Sequence, residues 1–295
     1  MHFSSQRPAL VGLAALGLAA LAPSARAQTQ DLFVSIPGTG TISRFAGTGP
    51  GTFSTTATTL SGLNGPGGLA FDAGGDLFAA NGNGNSITEF AFNSGTGAFA
   101  TGTTFATGGT LNNPQGLTFD ARGDLFAANG NGNSITEFAS TGAGTFAAGI
   151  TFATGGTLIG PQGLAFDGRG DLFAANYTGS AITEFAFNSG TGAFATGTTF
   201  ATGGTLNRPL GLAFDGRGDL FATNFSGNSI TEFASTGTGT FGAGTTVETG
   251  LNGPTFLAFS PVPAVPEAST TVSLGLLLAL GLGGTVMAAR KKRKA

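Results

Sequence analysis

Short apolar runs recur along most of the chain, separated by breaks rich in Gly, Asn and Asp. Leu69-Ala70-Phe71 alternates as a half-buried strand should, and the links FDAGGD, FDARGD and FDGRGD are short enough to close hairpins. Each unit then reads DLFAAN or close to it, a Gly and Asn turn, SITEFA, and a Phe and Thr segment such as TTFATG. That pattern predicts four short strands per unit and no helix within it.

The unit repeats. Taking the Leu of Gly-Leu-x-Phe-Asp as a marker gives Leu69, Leu117, Leu164 and Leu212, spaced 48, 47 and 48 residues apart, a period that suits a propeller blade. The edges of the array set the blade number. Asp31-Leu32-Phe33-Val34-Ser35 aligns with Asp76-Leu77-Phe78-Ala79-Ala80 and so lacks a first strand, while Phe256-Leu257-Ala258-Phe259 is a first strand with no second. Joining the two completes a blade and removes two open sheet edges. The expectation is an all-β, five-bladed β-propeller whose blade one is closed by the C-terminal strand. The pattern Pro-x-Gly-Leu-x-Phe-Asp-x-x-Gly-Asp-Leu-Phe-Ala-Ala-Asn over residues 31 to 260 resembles NHL-type repeats and their lactonase and lyase relatives. This chain places Asn81, Asn129, Asn176 and Asn224 where such repeats often carry Asp. The resemblance implies a propeller that serves as either a scaffold or an enzyme.

The two ends read differently. MHFSSQR, an apolar stretch and PSARAQ form a signal peptide over residues 1–27, cleaved by signal peptidase at the small-x-small site Ala25 and Ala27. The propeller occupies 28–260, followed by a Pro-rich linker at 261–271. Residues 272–295 hold an apolar run that can span a bilayer as a transmembrane helix, then the basic cluster Arg290 to Lys294 that the positive-inside rule keeps cytoplasmic. The tail, with Val265-Pro266-Glu267-Ala268 before the span, resembles the PEP-CTERM sorting signal, Ala268 replacing the second proline. That resemblance implies processing by a membrane-embedded exosortase. The chain is thus expected to be exported to the cell surface or extracellular matrix, anchored in the membrane transiently or permanently.

Composition sharpens the chemistry. The 28 Phe, recurring at fixed places in the repeat, argue for an equivalent core position in each blade. Between residues 28 and 266 stand five bases against fourteen acids, a net charge of −9 that disfavours nucleic acid as a partner. There is no Cys, the one histidine is His2 in the leader, and the propeller has no Lys. Acid–base work is left to carboxylates, Arg and the single Tyr177, and a Ser-His-Asp hydrolase is excluded.

The pairs Asp72/Asp76, Asp120/Asp124, Asp167/Asp171 and Asp215/Asp219 recur identically, which fits carboxylates holding their own turns rather than a catalytic pair. Arg122, Arg169 and Arg217 inside three of these turns oppose a cation, and the spacing departs from an EF-hand loop. Glu89, Glu137, Glu184 and Glu232 read as exposed strand positions, with Arg44 in their place in blade one; the alternative is that Arg44 pairs with a neighbouring blade's Glu and pins the closure.

Asn81, Asn129, Asn176 and Asn224 end the second strands near one rim. They read either as turn residues or as a polar lining at the channel mouth for a sugar or metal. Tyr177, Phe225 and Arg208 break the repeat; Tyr177 and Phe225 follow aligned Asn residues and form a candidate aromatic contact for sugar. Near-identical blades favour a non-enzymatic binding or structural module without catalytic residues, metal or cofactor, presenting a rim to polysaccharide or a surface protein. The alternative is an extracytoplasmic lactonase-like or lyase-like enzyme using a metal at the channel mouth.

Overall fold

The computed structural model describes residues 31–49, 52–142 and 144–257. The leader with Ala25 and Ala27, the motif Val265-Pro266-Glu267 and the apolar tail lie outside the described residues, among which no helix is long and apolar enough to cross a membrane. The described chain is all-β, without a helix, and forms a five-bladed propeller.

Blade two shows the plan: Pro66–Phe71 is innermost, then Leu77–Asn81, Ser86–Phe90 and, outermost, Thr103–Thr107, each antiparallel to the next. Blades three, four and five repeat it from Pro114–Phe119, Pro161–Phe166 and Pro209–Phe214. Blade one contributes Leu32–Ile36, Thr41–Gly49 and Thr52–Leu60. The expected inner strand at residues 256–259 is described only as far as Leu257, and its described residues do not form a strand. Thr255 already takes the inner place beside blade five, its carbonyl accepting from Thr223 Oγ1 at 2.8 Å; Ala258 and Phe259 lie outside the described residues.

One feature the pattern did not assign is a small two-stranded hairpin between the third and outer strands, Phe92–Asn93 with Ala98–Phe99 in blade two and its equivalents in blades three to five. It is what the insert FNSGTGAF and the shorter STGAGTF both build.

Packing explains the repeat. In blades two to four every residue of the second strand Leu-Phe-Ala-Ala-Asn is buried, because neighbouring blades cover both faces of the sheet and the usual in–out alternation is lost. Phe78, Phe126 and Phe173 are fully buried and each meets three Phe rings edge-on; Phe126, for example, lies 5.2 Å from Phe152, 5.2 Å from Phe166 and 6.0 Å from Phe194. Each cluster joins one blade to the next, so the Phe content is the glue of the blade joints.

At the axis the inner strands approach so closely that side chains are shut out. A methyl group added to Gly211 would sit 2.6 Å from the Thr255 carbonyl oxygen, and Gly68, Gly116 and Gly163 meet the carbonyls of Gln115, Gln162 and Leu210 as closely or closer. Glycine is required there by space alone. The bore that remains is a cavity of about 70 Å³ lined by Gly68, Gly116 and Gly163 with Leu69, Leu117, Leu164, Leu212, Phe256 and Leu257.

Candidate functional site

The inner strand runs from a Pro to a Phe-Asp, so the propeller has two rims about 20 Å apart at 3.3 Å per residue. On the acid rim each Asp-x-x-Gly-Asp turn is a self-contained network. Asp120 Oδ1 accepts from the backbone N–H of Arg122 and of Asp124, both at 2.9 Å, and Asp124 Oδ1 accepts from Ser140 N–H at 2.7 Å. Arg122 closes the network, its guanidinium 2.8 Å from Asp120 and 3.1 Å from Asp124. It also reaches blade four, donating to Gly192 O at 3.3 Å over the Phe187 ring. Arg169 pairs with Asp167 and Asp171 in the same way, and its guanidinium fills the space a side chain at Gly239 of blade five would need.

Blade two has Gly74 where the others have Arg. Burial, together with nearby Asp76, raises the Asp72 carboxyl, though backbone N–H donors work against it; burial and then Asp76 and Asp72 raise Glu89. Glu137 and Glu184 are raised by burial and the adjoining Asp, with Arg122 and Arg169 opposing. These glutamates are therefore half-buried members of the Asp networks, correcting the expectation of exposed strand positions. Arg44 is also corrected. It pairs with Asp31 of its own blade at 2.6 Å, not with a neighbour's Glu.

The four asparagines sit inside the blades. Asn129 Nδ2 donates to Thr136 Oγ1 at 2.9 Å and to Ser134 Oγ at 3.2 Å, while its Oδ1 accepts from Asn112 N–H at 3.1 Å. Asn81 and Asn224 make the same three bonds; Asn176 makes two, Ala181 replacing the Ser. All four are at most 2% exposed and none has the left-handed φ of a turn residue. An amide suits this position because it donates and accepts at once, whereas a carboxylate would be a buried charge. The bore they were expected to line is lined instead by glycines and leucines of the inner strands together with Phe256.

The proline rim is where the blades differ. A cross-blade bond recurs there: Asn85, Asn133, Ser180 and Asn228 accept from the N–H of Asn113, Gly160, Arg208 and Gly253 in the next blade. The residue before each Pro has positive φ, and is Gly65, Asn113, Gly160 or Gly253 in four blades but Arg208, at φ 53°, in blade five. Left-handed backbone is natural for Gly and tolerated by Asn; for Arg it costs roughly 1 kcal/mol.

Arg208 is also exposed, and it spans a blade joint. Its Nη1 donates to Tyr177 Oη at 3.4 Å and its guanidinium lies 5.3 Å from the centre of the Tyr177 ring. Phe225 stands beside them, its ring 6.0 Å from that of Tyr177 and inclined at 58°, 37% exposed. The three residues that break the repeat thus form one cluster, with the apolar Ile159 and Leu210 also replacing polar or smaller residues of other blades on this rim. Blades two and three present amides instead, among them Asn113 and Gln115, the latter donating to the former at 3.0 Å.

Metal binding at the rim can be judged by its donors. Among the described residues no group of three or more His, Cys, Asp or Glu could hold an ion, and the asparagine amides are already bonded. The residues present do not fit a metal.

No family model matches the chain. No curated protein matches it either. Solved structures do. A catalytically inactive variant of virginiamycin B lyase from Staphylococcus aureus with quinupristin superposes at TM-score 0.59 and 16% identity, covering 80% of this chain and 72% of the lyase. A gluconolactonase from Xanthomonas campestris gives TM-score 0.57 and 19% identity over 78% of this chain and 76% of its own. A luciferin-regenerating enzyme gives 0.60 and 15% over 84% and 81%. At these identities the likeness shows the fold.

The expectation of a non-enzymatic module is overturned by these neighbours, which are a lyase, a lactonase and a regenerating enzyme. Its premise also fails locally: the blades are near-identical in their cores and on the acid rim, but on the proline rim blades four and five assemble unlike, chemically capable side chains.

Proposed function

We propose that this chain is an enzyme of the lactonase or lyase type that acts at a carboxyl group of its substrate, held on the proline rim by Tyr177 and Arg208. The observation that carries the reading is the Arg208–Tyr177 contact, made by an arginine in a backbone conformation that the other blades give to Gly or Asn. Strain kept at one blade of five points to a use for the side chain that occupies it.

The two reaction types share a demand. Opening a lactone places negative charge on the carbonyl oxygen as water attacks, then breaks the ring C–O bond. Eliminating beside a carboxyl group passes the proton on the carbon next to it to a base from solvent, sends that electron pair into a new C=C bond and breaks the neighbouring C–O bond. In both, a permanently charged guanidinium stabilises the carboxyl oxygen, and the departing oxygen needs a proton that the Tyr177 hydroxyl can give. The fold shared with a lyase and a gluconolactonase supports this reading. No step is routed through a metal, because the donors present do not fit one.

We also propose export by way of the leader, and sorting by an exosortase-type enzyme at Val265-Pro266-Glu267; the order of motif, apolar run and basic end supports both.

Turnover of simple γ- and δ-lactones and of β-eliminating carboxylates tests the enzymatic reading. Tyr177→Phe is expected to lower kcat/KM about 100-fold or more with an unchanged Tm. Undiminished turnover in that variant, or none in the parent chain with either class, would sink the proposal.

A further inference from the structure

We infer that the proline-rim cluster takes a carboxylated sugar residue within an acidic polysaccharide, its carboxylate on Arg208 and its ring against Tyr177 and Phe225. The inference rests on reading Tyr177 and Arg208 as the working site.

Shape is the first argument. The Tyr177 and Phe225 rings meet in a tilted contact, 6.0 Å between centres and 58° between planes, so they present two differently inclined apolar surfaces side by side. A planar ligand would lie on one ring only. A pyranose, with C–H bonds on both faces and polar edges, can use both. Phe225 is held in place from below by Gly253, where an added methyl group would come within 3.2 Å of its ring.

Charge is the second. Of the described charged residues, all but Arg208 and Glu248 belong to the acid rim, where thirteen carboxylates face four arginines. Glu248 lies on the outermost strand of blade five. An anion is therefore repelled from one rim and met by a single guanidinium on the other. One guanidinium matches one carboxylate in a two-point contact; a phosphate-rich chain would call for several cations.

The neighbouring surface is the third. Past Tyr177 the rim continues as amides: Gln162 of blade four, whose side chain lies over Gly130, then Asn113 and Gln115 of blade three. Amides both donate and accept, which suits sugar hydroxyls. This row extends beyond one ring, which favours a chain over a monosaccharide.

Calorimetric titration of the full-length chain with a 1,4-linked galacturonate trisaccharide, at low salt, tests this. Saturable binding is expected, at least tenfold weaker for the neutral methyl-esterified trisaccharide and at least tenfold weaker in Arg208→Asn, which installs the residue blade three already carries at φ 56° as Asn113. Absence of binding, equal affinity for acid and ester, or undiminished affinity in Arg208→Asn overturns the inference. An ultraviolet assay for unsaturated product, run alongside, separates the two levels. Arg208-dependent binding without turnover of any substrate supports the sugar site and overturns the enzymatic reading. Lactone turnover that Tyr177→Phe abolishes, without uronate binding, overturns the sugar and leaves the enzyme.

Discussion

The acid rim and the proline rim are built by the same strands and have opposite characters. On the acid rim a turn is written over and over: Asp120 and Asp124 hold their own backbone, Arg122 neutralises them, and blade four does the same with Asp167, Asp171 and Arg169. On the proline rim the backbone bonds repeat while the side chains do not, and the residues that break the pattern touch one another. The lesson is that repetition in a propeller marks what holds the blades together, and departure from it marks where chemistry can be sited.

The comparison can be broken at the asparagines, which sit at the proline-rim end of the blades yet belong to the repeated machinery. Asn129→Ala removes both donors and the acceptor from a fully buried position, leaving Thr136 and the Asn112 N–H without that partner. Chemical denaturation is expected to show a loss of about 1–3 kcal/mol. A neutral result would mean the amide is not structural.

Arg208→Gly sharpens the contrast, because stability and activity should move in opposite directions. Relief of the left-handed strain is expected to stabilise the fold by up to about 1 kcal/mol in thermal unfolding, while turnover falls. A destabilised variant would place Arg208 with the scaffold.

The smallest effect tests the acid rim. Gly74→Arg gives blade two the guanidinium its siblings have, and is expected to add less than about 1 kcal/mol at neutral pH. Its signature is in the pH dependence. Asp72 and Glu89 are raised above their ordinary values of 3.8 and 4.5, so their contribution favours the fold below those values and is lost as pH rises through the raised ones. In the parent chain these two carboxyls therefore make blade two firmer as pH falls towards that range, and the variant should lose part of that gain. Identical pH profiles for parent and variant would show that the missing Arg is without consequence.

Much of the fold was legible because the repeat supplies its own internal alignment: strand order and the hairpins at FDAGGD follow from comparing one unit with the next. The environment of single side chains was not. Asn81 ends a strand beside a Gly-rich turn and looks exposed, yet blade-on-blade packing buries both faces of that strand. Arg44 occupies a Glu position, which suggested a neighbour's Glu, but Asp31 lies closer within its own sheet. For the cluster, the sequence identified Tyr177, Phe225 and Arg208 as exceptions; that they meet depends on Tyr177 and Arg208, 31 residues apart, facing each other across a joint. The signal that would have strengthened Arg208 was available, since Gly, Asn and Gly stand at the aligned positions 65, 113 and 160.

The glycines at the axis also bear on how many units the array can hold. Near-identical modules of this kind are easily duplicated in a gene, yet a sixth blade would draw the inner strands apart, open a gap beside Gly68, Gly116, Gly163 and Gly211, and let water onto the ring of leucines. The count of five is favoured by the one place in each of blades two to five where a hydrogen atom is all that fits.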